Sequence, residues 1–353
     1  MNTDMRMIAQ HRNRFSMVGM SLVELMIAMT LGLAVVAAVG WVYLGTSKAY
    51  RTQDALARLQ EGARYAFEVI GNDLRMTGTT GCSYRTSTNV INDYDTRWYT
   101  NFLEQPISSD ETDGGTGTVT ELSDALRVLR ADVSTEYVVQ SDAGGVFTVP
   151  SHNLASGALL LATDCDHVAV FQASSAISPT IGHGAGGTPG NSTDELGSGG
   201  PYIFAAGSRI YRLSASTYYI ATNPAGEPSL FRLRPIGTSA TPTAEELIEG
   251  VEDMQVSFGV DTDATSDGEA NMADPDEPYL TGDQISAAGI VPGTSPQDRW
   301  ARVISVRISL LMRTVENNVV PTAQSYSYNG TTTTATDRRL RKVFTHVVKL
   351  RNR

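Results

Sequence analysis

The chain has 353 residues, a formal net charge of −11 and only 18% charged residues. This acidic balance argues against sequence-independent binding of nucleic acid, which requires clustered Lys and Arg to displace counterions from phosphates. The length is sufficient for one large or two small domains with a real core. The abundance of Gly, Ser and Thr favours an exported, β-rich domain over a cytosolic helical one.

The first predicted element is an apolar helix near the N-terminus. Residues 1–19 are polar and basic, and residues 20–44 are apolar except for Glu24. An apolar helix of this length spans a bilayer with some tilt, and a positively charged leader stays on the cytoplasmic side. The sequence therefore predicts a single-pass anchor with the rest of the chain exported to the periplasm.

Two other interpretations of this segment are a cleaved secretory signal peptide and a simple signal anchor. A secretory signal needs small residues before a cleavage point after the apolar core, and Ala37 and Ala38 are followed directly by more helix. A simple anchor has no need of Glu24, because a carboxylate inside a membrane costs about 3 kcal/mol. Neither interpretation therefore explains the whole segment, and an interpretation that gives Glu24 a function explains it better.

Residues 19–25, Gly-Met-Ser-Leu-Val-Glu-Leu, resemble the type IV prepilin signature. The resemblance implies that a prepilin peptidase cleaves between Gly19 and Met20 and that the new Met20 amine is N-methylated. Met20 departs from the usual first residue of the mature chain, which is Phe. Glu24 is then the fifth mature residue, and its carboxylate would neutralise a neighbouring subunit's N-terminal amine. Such a pair would fix the axial register of packed helices, because a desolvated, unpaired charge is costly.

The helical pattern continues through residues 45–78. Apolar residues recur at three- and four-residue spacing, which predicts one apolar stripe on an otherwise charged helix. They are Leu56, Leu59, Ala63, Phe67, Ile70 and Leu74. Gly78 is suited to end the helix. The sequence therefore predicts a helix from about Met20 to Thr77, with its second half packed on a globular head.

Residues 79–353 are predicted to form a periplasmic β-rich head. Together with the long helix, this predicts an α+β, pilin-like fold with a mainly antiparallel sheet. Strands are predicted at Ala125–Arg130, Glu136–Gln140, Ala158–Ala162, His167–Gln172, Leu230–Arg234, Val251–Val260, Val303–Met312 and Val343–Leu350. A hairpin is predicted from Ser208–Leu213 and Thr217–Ala221. Residues 174–201 and 261–298 are predicted to be flexible surface loops.

Short sequence motifs spread over most of the chain resemble those of the PilW group of minor pilins. They are Ala49–Arg51, Ala55–Glu61, Asp73–Met76, Thr77–Gly78, Gly81–Cys82, Thr163–Cys165, Ala206–Leu213, Glu249–Val256, Phe258–Asp261 and the ending from Arg338. The resemblance implies a disulfide between Cys82 and Cys165. Without the resemblance, two interpretations of the cysteines are open. In an oxidising compartment they form one disulfide that stabilises the fold by about 4 kcal/mol, and in the cytosol they are two unrelated buried thiols.

Candidate chemistry is sparse along the chain. Four acidic residues, Asp261, Asp263, Asp267 and Glu269, could ligate Ca²⁺ through oxygens. Their spacing is not that of an EF-hand, and a solvated acidic loop is the alternative. No catalytic motif occurs and the histidines are scattered, so the chain is predicted not to be an enzyme and to need no other cofactor. The basic run of residues 338–342, together with Lys349, Arg351 and Arg353, either attracts DNA or the acidic face of a partner, or is simply solvated.

The PilW resemblance implies a minor pilin that starts type IV pilus assembly, with a position at the pilus tip. The implied partners are other minor pilins, the major pilin, the prepilin peptidase, the inner-membrane assembly platform and a tip adhesin. The implied location is the inner membrane and then the extracellular pilus, and the implied phenotype is twitching motility. Two alternatives stay open: a J-like pseudopilin of type II secretion, and a membrane-anchored adhesin or ligand-binding protein.

Overall fold

The long N-terminal helix is present in the computed structural model, which describes residues 19–110, 123–234, 243–263 and 279–351. Helix α1 runs from Leu22 to Arg75, within two residues of the predicted bounds. Gly78 follows it with φ of 68°, a conformation that is open to glycine at little cost. The Gly78 N–H donates to the Leu129 carbonyl at 3.1 Å, so the chain leaves the helix directly onto the head.

The rest of the described chain is mainly strand. The first strands are β1 Thr86–Asn89, β2 Ile107–Asp110, β3 Ala125–Val138, β4 Ser141–Ala143, β5 Val146–Thr148, β6 Leu159–Thr163, β7 His167–Gln172, β8 Ser175–Ile177 and β9 Thr180–Gly182. The later elements are β10 Arg209–Thr222, β11 Pro228–Arg234, β12 Thr243–Glu249, β13 Val251–Val260, α2 Gly282–Ser286, α3 Pro296–Trp300, β14 Val303–Arg313, β15 Ser325–Tyr328, β16 Thr331–Thr334 and β17 Arg341–Lys349.

Strand β10 organises the larger sheet, which has eight strands in the described chain. One edge of β10 pairs with β3, and the other edge pairs first with β6 and then with β11. Strands β7 and β1 extend the sheet beyond β6, β12 lies beyond β11, and β2 pairs with β3. The pairing of β1 with β7 is parallel and the other pairings are antiparallel. The prediction of an α+β fold with a mainly antiparallel sheet is therefore confirmed.

The chain divides into two structural units, residues 1–53 and 54–353. Within the second unit, α1 packs against the three-stranded sheet β13–β14–β17. The helix contributes Leu59, Ala63, Ala66, Ile70 and Leu74 to the main core, and the sheet contributes residues such as Met254, Val306 and Ile308. These helical positions are three and four residues apart, as the predicted stripe requires.

The predicted hairpin at residues 208–221 is wrong. Residues 209–222 form one strand, and Ser214, Ala215 and Ser216 lie opposite Arg130, Leu129 and Val128 of β3. Small residues such as these are typical of turns, but here the ladder with β3 satisfies their backbone groups. The strands predicted at Ala125–Arg130 and Glu136–Gln140 are likewise one strand, β3, because both parts pair with β10. The pairing register shifts between Tyr211 and Arg212 of β10.

The prediction of loops at 174–201 and 261–298 also needs correction. The first segment contains β8 and β9, and its His183, Asn191 and Leu196 are buried. The Asn191 side chain donates to the Gln172 carbonyl and accepts from the Gln172 N–H, which fixes a backbone that its glycines leave free. The second segment contains α2 and α3, each begun by a capping box at Thr281 and Ser295. Its residues 264–278 lie outside the described residues.

Candidate assembly site

The residues predicted for processing and assembly lie at the start of α1. The Ser21 hydroxyl accepts a hydrogen bond from the Glu24 N–H at 3.2 Å, as an N-capping residue does. Glu24 lies in the first helical turn, where unpaired N–H groups favour a carboxylate. A Cβ at Gly19 would meet nothing within 4 Å. The predicted cleavage position is thus open and immediately precedes a capped helix.

The first part of α1 exposes its apolar side chains. Leu22 is 74% exposed and Trp41 is 84% exposed. The most apolar window of this helix has a mean hydropathy of 2.4, and none of it is buried, so the helix is long and apolar enough to cross a membrane. An apolar surface of this extent in water is unfavourable. The segment is therefore a candidate single-pass anchor that requires lipid or other apolar helices around it.

A buried carboxylate joins the last turns of α1 to the larger sheet. Asp73 is 3% exposed. Its Oδ1 accepts from Arg130 Nε at 2.9 Å, and its Oδ2 accepts from the Tyr218 hydroxyl at 2.7 Å. Burial, followed by the Asp73 charge, raises the pKa of Tyr218, so this phenol stays protonated and donates. Both carboxylate oxygens therefore have a directional partner on the sheet.

Sequence reasoning did not identify the role of Asp73, although a signal was present. Asp73 lies three residues after Ile70 and seven after Ala66, both of which are fully buried. A charged residue at a stripe position implies a buried partner, because an isolated buried charge is strongly unfavourable. The identity of the partners could not be derived, since Arg130 and Tyr218 lie 57 and 145 residues away in the sequence.

We expect Asp73→Ala to lower the free energy of unfolding by about 3 kcal/mol, because it removes the buried carboxylate that pairs with the partly buried Arg130 guanidinium and with the Tyr218 hydroxyl. Asp54→Ala is the matched control on the same helix. Its ion pair with Arg58 is largely exposed, with the two side chains 46% and 77% accessible, so its loss should be below about 1 kcal/mol. Chemical unfolding of the two variants measures both values, and equal losses would contradict a locking role for Asp73.

The disulfide implied by the PilW resemblance is present. Cys82 and Cys165 are bonded with a Cα–Cα distance of 5.4 Å. Cys165 lies in the turn between β6 and β7, and Cys82 lies seven residues after the end of α1. The bridge spans 83 residues of sequence and is worth about 4–5 kcal/mol in the chain-entropy model. It fastens the segment that leaves α1 to the larger sheet.

A closed ring of six alternating charges lies where the two sheets meet. Arg313 joins Glu227 at 2.7 Å to Glu252 at 2.9 Å. Four further contacts close the ring. In order around the ring, they are Glu252–Arg341 at 2.8 Å, Arg341–Asp337 at 2.5 Å, Asp337–Arg339 at 3.7 Å and Arg339–Glu227 at 3.0 Å.

The ring lowers the pKa of two of its carboxyl groups. The hydrogen bond from Arg341 lowers the pKa of Asp337 to about 2, against a smaller opposing effect of burial. Burial alone would raise the pKa of Glu227, but hydrogen bonds from Arg313 and Arg339 outweigh it and lower this pKa. Both shifts mean that the folded state favours the ionised carboxylates.

We expect Asp337→Asn to lower the free energy of unfolding at neutral pH by about 2 kcal/mol, because the pKa falls from 3.8 to about 2 on folding. A lowered folded-state pKa gives stability that is complete above the unfolded pKa and is lost as the pH falls towards the folded one. The difference between wild type and variant should therefore shrink between pH 4 and pH 2, the window set by these two values.

Unfolding curves collected across this pH range measure the difference. Glu61→Gln changes an exposed carboxylate of α1 that is outside the ring and serves as the matched control. A deficit in Asp337→Asn that does not vary with pH would show that the loss comes from packing rather than from the ionised ring.

The predicted calcium ligands are only partly described. Asp261 is 1% exposed, and the Arg302 guanidinium lies 3.8 Å from its carboxylate and donates to the Asp263 carbonyl at 2.8 Å. Asp267 and Glu269 lie outside the described residues. The described residues contain no group of three or more His, Cys, Asp or Glu placed to hold a metal. Calcium binding at these four positions stays a prediction.

The C-terminal basic run and the histidines have structural partners. Arg339 and Arg341 belong to the six-charge ring, while Arg338 and Lys342 stay exposed. His167 contacts Thr86 and the Leu196 carbonyl at 2.8 and 2.7 Å, and His183 lies 3.1 Å from the Asp142 carboxylate. Two of the basic side chains are thus committed within the head rather than available to a partner.

A long helix with an exposed apolar part, followed by a mainly antiparallel β-rich head, is the architecture that the pilin resemblance predicts. The family model described as Type IV Pilus-assembly protein W (PilW) matches residues 217–352. This match agrees with the PilW resemblance over the C-terminal part of the chain. The six residues of the charge ring and Tyr218 lie inside the matched region. No curated protein and no solved structure matches the chain.

Proposed function

We propose that the chain is a minor pilin that initiates type IV pilus assembly together with other minor pilins. A prepilin peptidase cleaves it after Gly19, and the Met20 amine is methylated. The inner-membrane assembly platform then moves it from the bilayer into the growing fibre, at the tip, where it meets the major pilin and a tip adhesin. The observation that carries this proposal is the exposed apolar segment 20–44, whose single charged residue, Glu24, lies in the first helical turn.

Two environments account for this segment. In the inner membrane, lipid covers the exposed apolar side chains, and the head lies in the periplasm. In the fibre, neighbouring apolar helices replace the lipid. Because a helix core is dry, the N-terminal amine of one subunit and Glu24 of another stabilise each other more strongly there than in water. The PilW match supports an assembly role and not a catalytic one.

We expect Gly19→Leu to block removal of residues 1–19 while leaving the head folded, because a Cβ at Gly19 would meet no atom within 4 Å. Mass spectrometry of membranes from the native host distinguishes precursor from mature chain and detects the methyl group on Met20. Gly40→Leu, at another open glycine of the same segment, is the matched control and should be processed normally. Cleavage of Gly19→Leu at the wild-type position would contradict this assignment.

We expect Glu24→Gln to be cleaved like the wild-type chain but to enter sheared pili at a level at least tenfold lower, since it cannot neutralise a neighbour's amine. Immunoblotting of the membrane and pilus fractions separates the two steps. Glu61→Gln, on the part of α1 that packs on the head, should enter pili normally. Normal incorporation of Glu24→Gln would refute the charge-pair role.

Deletion of the gene and complementation with the wild-type chain tests the proposed function as a whole. Loss of surface pili and of twitching is the expected result. Loss of protein secretion with normal pili would instead support the type II pseudopilin, and normal pili with lost attachment would support the adhesin. Either of these outcomes would overturn the proposal.

A further inference from the structure

A polar cleft of about 450 Å³ lies on the outer face of the three-stranded sheet, on the side opposite α1. Side chains alternate along a strand, so the sheet turns Val256 and Ile308 to the core and Ser257 and Arg307 outward. The floor crosses all three strands, because Ser309 pairs with Gln255 of β13 and with Thr345 of β17. An outward sheet face is normally open to water, but here two segments rise above it.

The walls of the cleft are held in place by contacts with its floor. On one side, the turn of the β15–β16 hairpin reaches over the sheet. The Tyr328 hydroxyl donates to the Ser309 carbonyl at 3.0 Å, and the Asn329 amide donates to Gln255 at 3.1 Å. On the other side, Tyr279 stacks on the Arg307 guanidinium with 4.2 Å between the guanidinium carbon and the ring centre. The cleft is thus a preformed concavity and not a gap between mobile chains.

Arg307 is the only cationic side chain that lines the cleft in the described part of the chain. Its Nε donates to the Ser257 hydroxyl at 3.0 Å, and no carboxylate of the described residues lies within ion-pair distance of it. The other arginines on the outer faces of these strands differ, since Arg313 and Arg341 each form ion pairs with two carboxylates of the charge ring. A guanidinium held flat by an aromatic ring and one hydrogen bond presents its remaining N–H groups as a planar fork for a carboxylate.

The remaining polar groups of the cleft are neutral hydroxyls and primary amides, which both donate and accept hydrogen bonds. They are Gln255, Ser257, Thr281, Gln284, Ser309, Ser327, Asn329 and Thr345. This set suits a ligand rich in hydroxyl groups. A doubly charged phosphate is disfavoured because one cation faces it. A flat aromatic ligand is disfavoured because the ring of Tyr279 is already covered by Arg307.

From this arrangement we propose that the cleft binds an acidic sugar, with its carboxylate on Arg307 and its hydroxyl groups on the amides and hydroxyls of the floor and walls. The volume lies in the range of small-molecule sites. The site is independent of the apolar helix and of the assembly role proposed above. It would give the head a ligand-binding function, with uronic-acid-containing saccharides as the substrate class.

Ligand-observed NMR titration of the full-length chain in detergent micelles tests the proposal, with glucuronate, glucose and acetate as probes. Glucuronate should bind saturably. Glucose lacks the carboxylate and acetate lacks the hydroxyl groups, so each should bind at least tenfold more weakly. Failure of glucuronate to saturate, or acetate binding as tightly as glucuronate, would overturn the proposal.

Variants assign the binding to the cleft. Arg307→Gln should weaken glucuronate binding by roughly 10- to 100-fold, because a charge-assisted contact is lost, and Arg307→Lys should weaken it less. Arg338→Gln, at an exposed arginine outside the cleft, is the matched control. Thr345→Leu narrows the floor of the cleft on the edge strand β17 without altering Arg307, and it should also weaken glucuronate binding. This second variant tests the site even if the Arg307 variants fold poorly. Wild-type affinity in Arg307→Gln or in Thr345→Leu would refute the site.

Discussion

The contacts of Asp73 with Arg130 and Tyr218 set the position of α1 on the head. The apolar stripe of the helix contributes most of the burial, but apolar packing is non-directional and tolerates small shifts along or around the helix. Two short hydrogen bonds to one carboxylate do not tolerate such shifts, since each depends on distance and angle. The part of α1 that belongs to the second unit therefore has a defined register on the two sheets, at the cost of a buried charge that must stay paired.

The head is also stabilised by apolar burial combined with directional polar contacts. The core between α1 and the three-stranded sheet continues into the larger sheet through residues such as Tyr218 and Leu126. The six-charge ring then joins Glu227, before β11 of the larger sheet, to Arg313 of β14 and to Arg339, which precedes β17. Each partly buried charge in the ring has two opposite neighbours, so the cost of desolvation is compensated within the ring. The disulfide adds a covalent link near the point where the chain leaves α1.

This arrangement suits a subunit that must change its surroundings without unfolding. The apolar side chains of residues 20–44 are exposed, and in the proposed function lipid or other subunits cover them. The head, in contrast, is held by contacts that do not depend on either environment. The outer face of the three-stranded sheet is turned away from α1, so the polar cleft with Arg307 is not used by the contacts that hold the helix. Assembly and ligand binding can therefore reside on different faces of one chain.

The sequence alone determined the features that depend on neighbouring residues. The stripe from Leu59 to Leu74 gave α1 nearly to its ends, and strands with clear patterns, such as His167–Gln172 and Val251–Val260, have the predicted bounds. The PilW resemblance gave the disulfide, which is present, and the PilW family model matches residues 217–352. The charge and spacing around Gly19 and Glu24 made the processing and assembly hypothesis possible, because that signal is local.

The tertiary structure decided what depends on distant partners. Ser214–Ser216 are small residues typical of a turn, and only pairing with β3 makes them part of a strand. Residues 174–201 have a loop-like composition but are ordered by buried side chains such as Asn191. The partners of Asp73, the closure of the charge ring and the cleft around Arg307 all join residues tens to more than a hundred positions apart. Local periodicity shows that a side chain is buried or exposed, but the group that it meets is set by the fold.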